Sequence, residues 1–183
     1  MPRAFIALDL PDSACERLRE IAADLRGAGW VPVEHYHLTL RFLGEVERHA
    51  FEALGRALQG VRAEAFQFDL KGVGHFPLRG HPETLWAGVA PCEPLQRLRH
   101  RVESALVRSG LPPEGRKFHP HVALGRMKNG PPRLAAVFEV AHALFRIADI
   151  PAEYFHLYTS RLKPSGAEHA VEASYPLEGI PEE

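Results

Sequence analysis

The sequence is poor in cysteine: Cys15 and Cys92 are the only two in 183 residues. Two widely separated thiols exclude the disulfide framework of small secreted domains, and read as ordinary small residues in a reducing compartment. An excess of either charge is also missing, with 22 basic against 23 acidic residues and a net charge of −1. That excludes a protein that coats long duplexes, which is usually basic, but not one with a local basic site. No window approaches the roughly 20 apolar residues of a membrane helix. The start, MPRAFIALDLPDSACERL, holds only a short apolar run broken by Asp9, without the layout of a signal peptide. Lysine is scarce, four residues against eighteen arginines, and Ala, Leu, Gly and Pro are common, the composition of a GC-rich bacterial genome. These absences predict a cytoplasmic chain. Its hydrophobic fraction of 45% suffices for a core without disulfides or metal. A single domain over residues 1–183 is expected, and a monomer, since no long exposed apolar stripe is evident.

The pattern of elements mixes strands and helices. RAFIALDL is a buried strand closed by Pro11, and DSACERLREIAADLRGAG a helix with a capping box at Ser13 and Glu16. HYHLTLRFL alternates as a strand, ERHAFEALGRALQGV follows as a helix, and FQFDLKGVGHF is a strand that breaks at its glycines. TLWAGVA is a strand. EPLQRLRHRVESALVRSG repeats Leu95, Leu98, Val102, Ala105 and Leu106 between Pro94 and Gly110, a helix with clear ends. HPHVALGRM, LFRIADI, YFHLYTSRL and HAVEASYPL read as strands, and residues 129–133, NGPPR, as a loop. Short turns between strands imply α+β with antiparallel sheets, not a doubly wound parallel sheet.

One sentence is written twice. EHYHLTLRFLG and KFHPHVALGRM each carry His-x-His followed by apolar-small-apolar, and His37 and His121 stand 84 residues apart. That spacing is too long for a solenoid and suits two similar halves. On a strand, residues i and i+2 share a face. His35, His37 and Thr39 then point one way and Tyr36, Leu38, Leu40 and Phe42 mostly the other; His119, His121 and Ala123 oppose Phe118, Val122 and Leu124. Two imidazoles titrating near neutrality can divide the work, one taking a proton and one giving it. Thr39 adds a hydroxyl donor suited to a phosphate oxygen, and Arg41 and Arg126 add guanidinium charge that matches phosphate. The remaining histidines, His169 among them, show no paired spacing and read as surface or local structure.

The motif His37-Leu38-Thr39-Leu40, with His121-Val122-Ala123-Leu124 as a second copy, resembles the paired His-x-Thr-x motifs of the 2H phosphoesterases. HLTLRFLGEV, FHPHVALGR, the opening RAFIALDLP and the closing YFHLYTSRLKPSGAEHAVEASYPL are most similar to the RNA 2′,3′-cyclic phosphodiesterases, also called 2′-5′ RNA ligases. The resemblance implies a bilobal fold with two pseudo-symmetric halves, antiparallel sheets lining a central cleft, and helices packed outside. It implies opening of a 2′,3′-cyclic phosphate to a 2′-phosphate without metal or other cofactor, and reversible ATP-independent 2′-5′ joining. The partners implied are RNA ends or small nucleotides bearing the cyclic group, tRNA halves among them. By position, His37 is the general acid toward the departing O3′ and His121 the general base. Thr39 and Arg126 hold phosphate, with Arg41, Phe42 and His119 as further substrate-binding candidates. Where the family has Thr or Ser, this chain has Ala123, which cannot donate a hydrogen bond, so reduced or altered activity is expected.

Two rival readings use the same residues. His35, His37, His119 and His121 form two His-x-His pairs of a kind that can chelate a transition metal, which predicts a metal-dependent hydrolase. Alternatively, Ala123 marks lost chemistry, leaving a module that binds an RNA end or nucleotide without turnover.

Overall fold

The computed structural model describes residues 3–23, 29–78, 81–127, 132–163 and 166–179. In chain order the elements are β1 (Arg3–Asp9), α1 (Asp12–Ala23), β2 (Gly29–Trp30), a 3₁₀ turn (Val33–His35), β3 (His37–Glu45), α2 (Arg48–Gln59), β4 (Phe66–Leu78), β5 (His81–Val89), α3 (Glu93–Arg108), β6 (His121–Arg126), α4 (Pro132–Ala141), β7 (Arg146–Ala152), β8 (Tyr154–Lys163) and β9 (Gly166–Pro176). The strands form one nine-stranded sheet in the order β7-β4-β5-β6-β3-β1-β8-β9, with β2 paired to β6. All these pairings are antiparallel. The fold is α+β, as the alternation and short turns predict. The order reads as two four-strand halves related by a pseudo-twofold between β3 and β6, where the only register pair is Leu38↔Val122.

The apolar half of each strand builds the core. Ala87, Val122, Leu38 and Leu8 follow one another across β5, β6, β3 and β1 by register, and each has no measurable exposure. Helix α3 buries Leu95, Leu98, Val102, Ala105 and Leu106, the stripe its 3.6-residue period predicts. The imidazoles lie on the opposite face of the sheet from these aliphatics.

Three elements depart from the sequence reading. Strand β4 does not break at its glycines; it runs on to Leu78, with a register shift between Leu70 and Val73 and Gly72 at φ 69°. A left-handed residue at a bulge bends a strand without ending it. Helix α4 begins at Pro132, inside the stretch read as a loop; residues 129–131 of that loop lie outside the described residues. Leu134–Ala141 is apolar nearly all round, so it lacks the periodic contrast that marks a surface helix, while a proline in the first turn is favourable. Strand β2, two residues long, is too short for any alternation.

Gly74 matters for the site. It pairs with Trp86, and a Cβ built there would meet the indole carbons at 2.4 Å. Gly74→Ala is therefore expected to displace Trp86 and destabilise the protein by about 1–3 kcal/mol. Urea unfolding of the variant checks this, and an unchanged midpoint would contradict it.

Candidate active site

A pair of β-bulges determines which side chains reach the histidine face. Along β1 and β3 the register passes from Ala7↔Thr39 to Ile6↔Arg41, which leaves Leu40 as an extra residue. Along β5 and β6 it passes from Trp86↔Ala123 to Leu85↔Gly125, which leaves Leu124 extra. Leu40 and Leu124 each stand three residues after their histidine, so the two copies of the motif bulge at the same place. An extra residue reverses the alternation beyond it. Directly paired residues share a face, so Phe42 joins Phe5 and Arg126 joins Thr84 on the face of Trp86 and the histidines. Arg41 moves with Ile6 to the helix-covered face.

This corrects two expectations. Phe42 does not point with Leu38; it is 53% exposed on the wall of a groove. Arg41 borders the same groove, but its guanidinium is spent. Nη1 donates to Glu114 Oε2 at 2.9 Å and Nη2 to the Pro112 carbonyl at 2.7 Å, while Nε lies 2.9 Å from Glu103 Oε2. Glu114 also accepts from Arg116, whose side-chain and main-chain hydrogen bonds push its carboxyl down to about 2. Arg41 and Arg116 are thus neutralised. Among the described residues, no carboxylate pairs with Lys117 or Arg99 in the groove lining, or with Arg126.

The groove opens because β3 and β6 separate beyond their single pair, and encloses about 270 Å³. Thr39, Phe42, Phe76, Lys117, His119 and His121 are among its lining residues. The antiparallel register centred on Leu38 and Val122 sets Thr39 across from His121, and Ala123 across from His37. By that register the two imidazoles are diagonal neighbours on one face.

Both histidines are held the same way. His37 Nδ1 is 2.6 Å from the carbonyl of His35, and His121 Nδ1 is 2.6 Å from the carbonyl of His119. A carbonyl only accepts, so each Nδ1 carries a hydrogen and each neutral ring keeps its lone pair on Nε2. The first residue of each His-x-His thus acts through its main chain. The ring of His119, expected to touch substrate, sits edge-on to Phe76 at 5.2 Å and beside Trp86 at 5.0 Å. The ring of His35 stacks on His169 at 4.3 Å.

The surroundings set the proton affinities. His37 stacks on Phe5 at 4.7 Å, and Phe5 stacks in turn on Tyr158 at 5.0 Å. Burial drives the His37 pKa down to about 4, opposed by the bond to the His35 carbonyl and by the Asp9 carboxylate. His121, with Phe76 edge-on at 4.8 Å, is also lowered by burial, against the pull of the His119 carbonyl. Tyr158 donates to Asp9, and burial raises its phenol first of all. His169 is not mere surface: it lies edge-on to His37 at 5.5 Å, and burial lowers its pKa.

The sequence reading assigns no site role to Phe76, Trp86, Tyr158 or Lys117, and places His169 at the surface or in local structure. Nothing in the spacing of β4, β5, β8 or β9 ties them to the histidine strands; only sheet order brings them there. The four motif imidazoles do not converge. His35 packs toward His169 and His119 toward Phe76, and among the described residues no group of three or more His, Cys, Asp or Glu is placed to hold a metal ion.

Known proteins resemble this chain in sequence and fold. An RNA 2′,3′-cyclic phosphodiesterase of Aeropyrum pernix is 37% identical over 133 residues, 72% of this chain and 73% of that protein. One of Thermus thermophilus is 35% identical over 97% of this chain and 91% of that protein. The crystal structure of Escherichia coli LigT complexed with 3′-AMP superposes with a TM-score of 0.77 at 27% identity, covering 97% of this chain and 99% of that one. The model of the family described as LigT like phosphoesterase matches twice, over residues 8–86 and 88–167, one histidine strand in each match. With the motif duplicated, the bulges duplicated and the family matched once per half, the chain belongs to the LigT-like phosphoesterases.

Proposed function

We propose that the protein is an RNA 2′,3′-cyclic phosphodiesterase that opens the cyclic phosphate at an RNA end to leave a 2′-phosphate. The observation that carries this is the matched pair of histidines, each with Nδ1 bound to a carbonyl two residues back, which leaves the lone pair of the neutral ring on Nε2. His121 Nε2 takes a proton from water as the oxygen attacks phosphorus. The P–O3′ bond breaks, and O3′ receives the proton held on Nε2 of the His37 imidazolium. Thr39 and Arg126 hold the phosphate oxygens, and the exposed ring of Phe42 offers a surface for the base. Replacing water by an RNA 5′-hydroxyl gives 2′-5′ joining with the same two proton transfers and no ATP. Substrates in this reading are RNA ends, tRNA halves and small nucleotides with the cyclic group, handled by a single-domain cytoplasmic monomer without metal. In keeping with this, no helix of the described residues is long and apolar enough to cross a membrane.

The test is hydrolysis of an oligonucleotide with a 2′,3′-cyclic phosphate end, in EDTA, from pH 5 to 8. Formation of a 2′-phosphate supports the proposal; an intact substrate at every pH overturns it. The profile carries a further prediction. Both imidazoles are lowered from 6.5, so the free enzyme loses its protonated acid early as pH rises. The alkaline limb of kcat/KM is expected below pH 6.5. The limb of kcat should lie higher, because bound phosphate favours the imidazolium. Coincident limbs above pH 7 would contradict this.

A second reading, a binding module without turnover, draws on Ala123. By register this residue faces His37, so the family's hydroxyl is missing beside the proposed acid. A hydrogen bond to a charged group contributes about 1.5–3 kcal/mol. Ala123→Thr is therefore expected to raise kcat/KM about tenfold or more. An inactive wild type that still binds the cyclic end would favour the binding module.

A further inference from the structure

A second concave site lies away from the histidine groove, where the C-terminal ends of α2 and α3 meet. It encloses about 240 Å³ and is lined by Gly60, Val61, Arg62, Arg101, Ser104 and Arg108. Arg101, Ser104 and Arg108 stand three and seven residues apart, so they share one face of α3. Arg62 follows α2, and its Nη1 donates to the carbonyl of Gln59 at 2.7 Å. Arg101 donates to the carbonyl of Arg62, which draws the two elements together.

The charge at this site does not balance. Carbonyl partners satisfy N–H groups but neutralise nothing. Glu178 lies 3.7 Å from Arg62, and among the described residues no carboxylate pairs with Arg101 or Arg108. The two helix C-termini supply roughly half a negative charge each. Three guanidiniums against one carboxylate and two helix ends leave about one positive charge focused in a cavity. That matches one phosphodiester monoanion, with the Ser104 hydroxyl as an added donor.

We propose that Arg62, Arg101, Ser104 and Arg108 form a second phosphate site that takes a backbone phosphate of the RNA strand behind its reacting end. The proposal rests on the activity proposed above. Arg99 lines the histidine groove while Arg101 and Arg108 face the far side of the same helix. A strand leaving the groove past Arg99 therefore has only one helix, about 10 Å across, to cross. Long RNA ends gain this contact and mononucleotides do not.

The test compares a single-stranded RNA 12-mer ending in a 2′,3′-cyclic phosphate with a nucleoside 2′,3′-cyclic phosphate, using wild type and Arg62→Gln/Arg108→Gln. For the 12-mer, KM is expected to rise about tenfold with kcat unchanged, and the slope of log KM against log salt to fall by about 0.7 per lost phosphate contact. The mononucleotide parameters should not move, and Arg108→Lys should keep most of the affinity for the 12-mer. Equal KM for the 12-mer in wild type and double variant overturns the proposal. So does a site that binds inorganic phosphate in calorimetry while leaving 12-mer affinity untouched. If neither substrate is turned over, the activity reading fails by itself, and anisotropy with a 12-mer ending in a plain 3′-hydroxyl still decides the site: weaker binding to the double variant supports it, and equal binding overturns it.

Discussion

Replacing His121 by alanine is expected to lower kcat/KM on a cyclic-phosphate end by roughly 10²–10⁴-fold, and replacing His37 by a similar factor. Each ring is the only proton-transfer group that its strand puts on this face with a fixed tautomer. The bond from Nδ1 to the carbonyl two residues back leaves Nε2 as the reacting atom in both. A second imidazole nearby does not replace the first. His119 lines the groove beside Phe76 and Trp86, and His35 stacks on His169. Removing both histidines should cost far less than the product of the single losses, because the two groups act in one transition state. Affinity for a 2′-phosphate-ended product should change by less than about tenfold in each single variant, since Thr39 and Arg126 remain. A variant that keeps turnover above a tenth of wild type would remove that histidine from the proton path. Wild-type turnover that vanishes in EDTA and returns with added metal would replace the acid–base reading with metal chemistry.

The fold itself should weaken in mild acid because His37 is kept neutral. Its pKa is about 4 in the folded protein against the ordinary 6.5. The folded state therefore refuses a proton that the unfolded chain accepts. This contribution is fully present above pH 6.5 and is lost as the pH falls toward 4. A gap of that size corresponds to at most about 3 kcal/mol. His121 and His169 are lowered as well and act in the same direction. Urea unfolding at pH 7.5 and pH 4.5 checks the effect, with His37→Gln as the reference because it cannot titrate. Wild type is expected to lose about 2–3 kcal/mol more than the variant over that interval. Carboxylates titrate alike in both proteins and cancel in the comparison. Equal losses would show that His37 is not shielded from protons.

Much of this was legible in the chain. The repeat of His-x-His on two strands was enough to predict two like halves and a two-histidine site. The buried stripe of α3 followed from periodicity alone, because a helix with one apolar face and clear ends has no competing solution. Helix α4 was not legible, since a segment apolar nearly all round has no phase to read. Both histidine strands were found, yet the side-chain directions of the first beyond Leu40 were misread. Simple alternation puts Arg41 with Thr39 and hides Phe42.

The sequence by itself determined the elements of the chemistry: two imidazoles, one hydroxyl where the family has two, and a guanidinium near the end of β6. Those follow from residue identity and short spacing, which local geometry preserves. Only the tertiary structure decided how they meet. Strand order made β3 and β6 neighbours and brought Phe76, Trp86, Tyr158 and His169 around the rings. The bulges at Leu40 and Leu124, recorded only in the register with β1 and β5, sent Arg41 to its carboxylates and put Arg126 on the face of the histidines. A bulge is a relation between two strands, and neither strand carries it alone.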